Sequence, residues 1–262
     1  MIARNGSVEL YYEVAGDGEL VAFVEDLGFG AWMWGWQHAA VAGPYETIVW
    51  DNRGTGCSDA PAGPYTVEEM AADLEAVLAD HGARRAHVVG AGLGGTIAIE
   101  YALTYGRARS LTLIGTSPGG AHASIDGDAL DRAFAPAGDR AALRSSTEWL
   151  LGADVRGEHP DLVDGIVEWR ASGDAGEAGW SAQRSALEGF DASDRLYEVD
   201  VPTLVVHGRS DPIYSVENAR LLADGIPKAD LELFDGGHLV FVERSRPVND
   251  ALLAFFEGLT DR

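Results

Sequence analysis

The order of apolar segments is the strongest constraint on this chain, because short β-rich runs alternate with stretches of helical spacing at both of its ends. Val8 to Val14 reads as a strand, Glu19 to Val24 as a second, buried one, and Tyr45 to Trp50 as a third. A helix is predicted over Glu68 to His81, where Met70, Leu74, Val77 and Leu78 recur on one face and Gly82 supplies a stop. The strand Ala86 to Val89, an apolar helix from Leu93 to Tyr105 and the strand Ser110 to Ile114 follow. The far end repeats the theme with strand Pro202 to His207, helix Val216 to Gly225, strand Asp230 to Phe234 and a last helix from Arg246 to Glu257. Strands joined through helices lie parallel and are covered on both faces. The expected class is α/β, a mostly parallel central sheet flanked by helices.

Residues 120–197 break the pattern. They have helical periodicity, carry Trp149, Trp169 and Trp180, and offer no convincing strand. Set between two strands of one sheet, they read as a helical cap over the carboxyl edge, where α/β sheets place ligands. The expected division is therefore a core of residues 1–119 and 198–262 with a cap of 120–197. No internal repeat is visible.

Composition removes several function classes. The 42 acidic and 19 basic side chains give a formal charge of -23, the wrong sign for nucleic acid or an anionic membrane surface. A hydrophobic content of 46% with seven Trp supplies a core and excludes a disordered acidic tail. The partner expected is a small molecule, and the oligomeric state stays open. Cys57, the single cysteine, cannot make an internal disulfide and reads as a small filler in a Gly-rich turn. Met1 to Leu10 lacks a signal-peptide layout, and no apolar run reaches the roughly 20 residues of a membrane span, so a cytoplasmic location is expected. With Lys228 as its only lysine, the chain resembles the cytoplasmic proteins of salt-in halophiles, whose dense carboxylates keep the surface hydrated.

The segment Val88-Val89-Gly90-Ala91-Gly92-Leu93-Gly94-Gly95-Thr96 lies between a strand and an apolar helix. It formally contains G-x-G-x-x-G, but a dinucleotide fingerprint belongs to the first βαβ unit, with an acidic residue about 20 positions on. This segment follows the fourth predicted strand, and the next strand ends in Ile114-Gly115-Thr116. The competing reading is a nucleophile elbow, a sharp turn that holds a reactive side chain above the sheet.

Three further motifs, in order, favour the elbow. Asp51-Asn52-Arg53-Gly54-Thr55-Gly56-Cys57-Ser58 has the form D-x-R-G-x-G-x-S, Gly208-Arg209-Ser210-Asp211-Pro212-Ile213 resembles an acid loop, and Gly236-Gly237-His238-Leu239 resembles a histidine loop. Together these resemble the α/β-hydrolase superfamily over essentially the whole chain. The resemblance implies that fold with a cap, a triad at positions 92, 211 and 238, no cofactor, and oxyanion donors at the backbone N–H groups of Leu93 and near Asp26 or Leu27.

Carried over residue by residue, the triad lacks its nucleophile. Position 92 is Gly, which keeps the strained turn cheaply and deletes its chemistry. The strand Val21 to Val24 should run into His-Gly and instead meets Glu25-Asp26. A carboxylate roughly 5 Å from a developing oxyanion, at an effective dielectric near 20, opposes it by about 3 kcal/mol. Asp211 and His238 remain, either as a base and orienting acid able to activate water or as a buried structural pair. Glu25, if aimed beside His238, would bind water, share a proton or hold a metal with Asp26; otherwise it is a solvated strand-end carboxylate. No ligand spacing supports a metal.

The remaining conspicuous residues have plainer readings. Trp32, Trp34 and Trp36 alternate and are expected to line one wall between sheet and cap, as core packing more than substrate stacking. Arg53 is expected to pin its turn. Ser58, Ser117 and Ser210 lie off the elbow, and His38, His81, His87, His122, His159 and His207 have no partner pattern. Three functions stay open: a hydrolase of a small ester- or lactone-like substrate working through His238 and Asp211 without a serine, a pseudo-hydrolase that binds a ligand, and an esterase inactivated at position 92.

Overall fold

The computed structural model describes residues 1–152, 155 and 159–260, so the expected cap of 120–197 and the core end at 262 include a few positions outside the described residues. Eight strands form one sheet in the order β1-β2-β4-β3-β5-β6-β7-β8. They are β1 (Ile2–Asn5), β2 (Val8–Ala15), β3 (Leu20–Val24), β4 (Glu46–Trp50), β5 (Ala86–Ala91), β6 (Ala108–Ile114), β7 (Thr203–Gly208) and β8 (Ala229–Phe234). From β4 through β8 every pairing is parallel, while β1–β2 and β2–β4 are antiparallel. Every residue of β3, β5 and β7 is buried, as strands covered by helices on both faces must be. Strand β1, four residues at the sheet edge, was not expected; it is too short and too polar to carry a period.

The flanking helices are α1 (Gly35–Val41), α2 (Val67–Asp80), α3 (Leu93–Thr104), α8 (Val216–Gly225), α9 (Val240–Glu243) and α10 (Ser245–Thr260). Helix α2 opens on a capping box, with Thr66 accepting from the Glu69 N–H and Glu69 accepting from the Thr66 N–H. Between β6 and β7 the described residues hold α4 (Gly127–Ala133), α5 (Arg140–Leu150), α6 (Pro160–Gly173) and α7 (Glu177–Gly189). Among the described residues no helix is long and apolar enough to cross a membrane.

Register decides which side chains meet. Val24 pairs with Gly90 and Ala91 with Ile114, so the residues after β3 and the turn after β5 leave the sheet side by side. Gly208 pairs with Phe234, which brings the loop carrying Asp211 next to the one carrying His238. All four loops emerge at the carboxyl edge.

The inserted helices sit on that edge through buried polar ties. Gln183 of α7 donates to the Arg53 carbonyl and to Thr55 Oγ1, and accepts from the Gly28 N–H. Arg170 of α6 is 3% exposed. It binds Asp174 at 2.7 Å, Ser146 and Thr147 of α5 and the Ala133 carbonyl, and it lies over the Phe29 ring. Asp174 in turn accepts from Trp32 Nε1 on the sheet domain. At Gly30 a β-carbon would run into the Gly173 backbone, so the two segments touch main chain to main chain.

Arg170→Ala leaves Asp174 with a buried charge and empties a site shared by three helices. It should lower the unfolding free energy by about 3–5 kcal/mol, read from urea denaturation at fixed salt. A loss below 1 kcal/mol would mean that the Arg170 ties add little to the hold on the insert.

Candidate functional site

The turn between β5 and α3 is a tight reversal. Gly92 has φ +49° and ψ -117°, a region that residues with a side chain enter only at a cost of about 1–3 kcal/mol. Gly90 and Gly94 serve packing instead: a β-carbon on the first would meet the Gly94 carbonyl, and on the second the Val24 carbonyl. The G-x-G-x-x-G pattern therefore records close strand–helix packing.

What fills the turn is the carboxylate of Asp26. A β-carbon at Gly92 would overlap Asp26 Oδ1, so the space a side chain at 92 would take belongs to this group. Asp26 Oδ1 accepts from the Leu27 N–H at 2.7 Å and the Leu93 N–H at 2.8 Å. These are the donors the family resemblance implies for an oxyanion, and Leu93 opens α3, whose N-terminal dipole favours an anion. The own N–H of Asp26 points to Met33 Sδ at 3.3 Å.

Asp26 Oδ2 lies 2.6 Å from His238 Nε2, and His238 Nδ1 lies 2.9 Å from Asp211 Oδ2. One imidazole thus bridges two carboxylates in a line from the β3 loop to the β7 loop. Both rings of contact are buried, with His238 at 2% and Asp26 at 4% exposure. Asp211 Oδ1 accepts from the Ile213 and Tyr214 N–H groups, which fixes that carboxylate. The Tyr214 ring stacks on the imidazole at 5.6 Å and 18°. Its hydroxyl is buried without a partner and its pKa is pushed well above the phenol range by burial and by the charges of Asp26 and Asp211.

Burial alone would push the His238 pKa down. The Asp211 and Asp26 carboxylates override it and bring the value up to about 10. For Asp211, burial pulls upward, but His238 and the backbone donors hold the carboxyl below its ordinary range. Both shifts favour a charged imidazole against the Asp211 carboxylate.

Glu25 corrects both readings made from the sequence. It neither points to His238 nor meets solvent: it is fully buried and turned to the loop after β4, where Oε2 accepts from the Asn52 N–H at 2.9 Å. Burial and the neighbouring Asp51 raise its pKa well above the carboxylate range. Its Oε1 is buried without a hydrogen-bond partner. Asp51 also accepts from the Ala31 and Cys57 N–H groups. Successive residues leaving β3 face opposite sides, which sends Asp26 to the site and Glu25 away from it.

The tryptophans differ from expectation for a similar reason. Residues 31–34 form a 3-10 turn leading into α1, so the run is helical. Trp34 is buried between Phe23 and Phe241, while Trp32 and Trp36 face outward to Trp169 of α6. Trp32, Trp36, Trp169 and Leu162 line an open apolar cleft of about 820 Å³. Cys57 is exposed rather than a filler. Arg53 binds Asp73 of α2 through two nitrogens at 2.5 and 2.8 Å. His207 is buried in β7 with Nε2 on the Tyr214 carbonyl, and His87 is buried in β5 against Ser110. Tyr214 was not singled out from the sequence, since one aromatic beyond an acid loop carries no spacing signal. Among the described residues no group of three His, Cys, Asp or Glu is arranged to hold a metal.

Two outcomes follow from the charges. A folded-state pKa for His238 near 10, above the ordinary 6.5, stabilises the fold fully below about pH 6.5, and that contribution is lost as pH rises through 10. Thermal unfolding of the native chain and Asp26→Asn, at fixed salt between pH 6 and 10, should show a shallower decline for the variant; superimposable profiles would contradict the clamp. For Glu25 the raised pKa costs stability above pH 4.5, so Glu25→Gln, which has no charge to bury beside Asp51, should be at least as stable as the native chain at pH 8 in urea denaturation.

Residues 26–251 match a model of the alpha/beta hydrolase family. The chain is 32% identical, over 99% of both sequences, to a protein of Azorhizobium caulinodans named putative carbamate hydrolase RutD. It is 27% identical to 3-oxoadipate enol-lactonase 2 of Acinetobacter baylyi, over 94% of this chain and 92% of that one. Among solved structures, the enol-lactonase from Burkholderia xenovorans superposes with a TM-score of 0.88 at 23% identity, covering 98% of this chain and all of the other. Est816, described as an N-acyl homoserine lactone degrading enzyme, superposes at 0.82 with 28% identity, covering 97% and 100%. By fold, register and sequence match, this chain belongs to the alpha/beta hydrolase family.

Proposed function

We propose that this protein is a hydrolase of small molecules that works without a serine-type nucleophile, through the line Asp26–His238–Asp211. The observation that carries this reading is the Asp26 carboxylate, seated on the Leu27 and Leu93 N–H groups in the space a nucleophile at position 92 would take. Serine-type acyl transfer needs a nucleophile, a neutral histidine to deprotonate it, and an open pair of oxyanion donors. Asp26 stands against all three at once. It fills the nucleophile space, holds His238 protonated, and occupies the donors. An ester or lactone carbonyl therefore has no hole to enter in the resting state. The names of the relatives, carbamate hydrolase and enol-lactonase, support hydrolysis of a small substrate.

A second reading, a non-catalytic binder, is favoured by the burial and full satisfaction of the same carboxylate; the apolar cleft at Trp32, Trp36 and Trp169 would then hold the ligand. An esterase inactivated at position 92 fits less well, because Gly92 and Asp26 are sterically matched and Ser at 92 needs Asp26 displaced.

The native chain should not react with a fluorophosphonate probe, and stoichiometric labelling would overturn the proposal. Gly92→Ser alone should also stay unlabelled and lose about 1–3 kcal/mol by overpacking. Combined with Asp26→Gly, which frees both donors, Gly92→Ser should gain labelling. Labelling of the single Gly92→Ser variant would show that Asp26 does not block the centre.

A further inference from the structure

We infer that a second binding site lies at the opposite, amino edge of the sheet, and that it takes the phosphate monoester of a small polyol. The cavity there has a volume of about 550 Å³, within the range that holds a small-molecule ligand. It opens where β3, β4, β5 and β6 begin and where the loop from α2 enters β5. Strand β5 runs six residues from this edge to the Gly92 turn, so about 20 Å separates the cavity from the Asp26 line.

Charge is the first argument. Acidic side chains outnumber basic ones 42 to 19 in this chain, and most arginines are tied to a carboxylate. Arg107, nearby, is typical: it spans Glu75 and the Ala83 carbonyl. Arg84 and Arg85 both line the cavity, and among the described residues neither has a carboxylate partner. The acids of the wall are engaged elsewhere. Glu19 lies 3.1 Å from Arg109 and 3.5 Å from His87, and Glu46 lies 3.1 Å from His81. Burial holds the His87 pKa below the ordinary imidazole range, so that ring adds no charge. Two guanidinium groups are thus left unmatched in a molecule with acids to spare, the complement of a group with two negative charges. A phosphate monoester carries nearly two charges on one centre and matches the guanidinium fork, whereas a carboxylate brings one.

The second argument is the division of the wall. In the strand order β4-β3-β5-β6, Glu46 and Glu19 stand at the heads of the first two strands, while the arginines stand on the loop into β5 and on β6. Phosphate belongs at the arginine end, and hydroxyl groups of the remainder meet carboxylate acceptors at the other. Among the described residues no Phe, Tyr or Trp lines the cavity, so it offers no face to an aryl group or a nucleobase. The cavity is far larger than a bare phosphate, which leaves room for a hydroxylated ester.

The test is titration calorimetry of the full chain with glucose 6-phosphate, at about pH 7.5 and fixed potassium chloride, with inorganic phosphate and glucuronate as companion ligands. Glucose 6-phosphate should bind at one site per chain, and glucuronate at least about tenfold more weakly. Arg84→Ala combined with Arg85→Ala should weaken glucose 6-phosphate by about 10- to 100-fold. Both side chains are exposed, so the double variant should melt with the native chain, which separates lost binding from lost fold. Glu46→Gln should weaken glucose 6-phosphate and leave inorganic phosphate unchanged. Absence of saturable binding, or equal binding by the double arginine variant, would overturn the inference. Glucuronate binding as tightly as glucose 6-phosphate would overturn phosphate as the recognised group. An equal loss of both phosphates in Glu46→Gln would overturn the hydroxyl end. None of these readouts depends on the chemistry at Asp26.

Discussion

A single buried carboxylate organises the reaction edge of this molecule. An unpaired charge out of water costs several kcal/mol, so Asp26 exists there only because two backbone N–H groups and an imidazolium meet it. Each partner comes from a different element: Leu27 from the loop after β3, Leu93 from the first turn of α3, His238 from the loop after β8. The parallel register that brings those loops together is therefore a precondition of the ion, and the ion in turn ties them. Gly92 completes the set by absence, since any side chain there would overlap the carboxylate.

The acidic pair that follows β3 is divided by strand geometry. Glu25 and Asp26 are chemically similar neighbours, yet one is turned to the Asn52 N–H beside Asp51 and the other meets His238. Burial beside another acid decides the first, and the availability of N–H and imidazole donors decides the second. The formal charge of -23 counts Glu25 as ionised and His238 as neutral, whereas burial beside Asp51 pushes the Glu25 pKa up and the two carboxylates bring that of His238 up to about 10. Both shifts act against the negative charge that the composition implies.

Most of the fold was legible in the sequence because its signals are periodic. Buried parallel strands read as apolar runs, α2 stops at Asp80 just before Gly82 with its positive φ, and the loops holding Asp211 and His238 carried their own local patterns. The parts that escaped are those where neighbouring residues diverge in direction. Trp32, Trp34 and Trp36 look like alternation until they are known to be helical, and then 32 and 36 share a face while 34 turns inward. Glu25 and Asp26 pose the same problem across one residue. Electrostatic reasoning set a carboxylate near the Leu27 and Leu93 donors, whereas the Asp26 carboxylate accepts from both of them. Tyr214 was invisible because its role depends on a ring plane.

The elbow itself says less about chemistry than its shape suggests. Gly90 and Gly94 are needed so that α3 can pack against β5 and the end of β3, and the backbone path between them forces position 92 into its positive φ whether or not a side chain is attached. The strained turn is thus required by the packing of a helix onto a sheet, and a nucleophile there is an addition to it. With glycine at 92 the turn is reached without strain and leaves room beside the N–H donors at the N-terminus of a helix. Buried donors without acceptors cost about 1–3 kcal/mol each. Asp26, at the end of the adjacent strand, supplies one acceptor to two of them, and because a β-carbon at 92 would overlap that carboxylate, Gly92 and Asp26 are sterically matched.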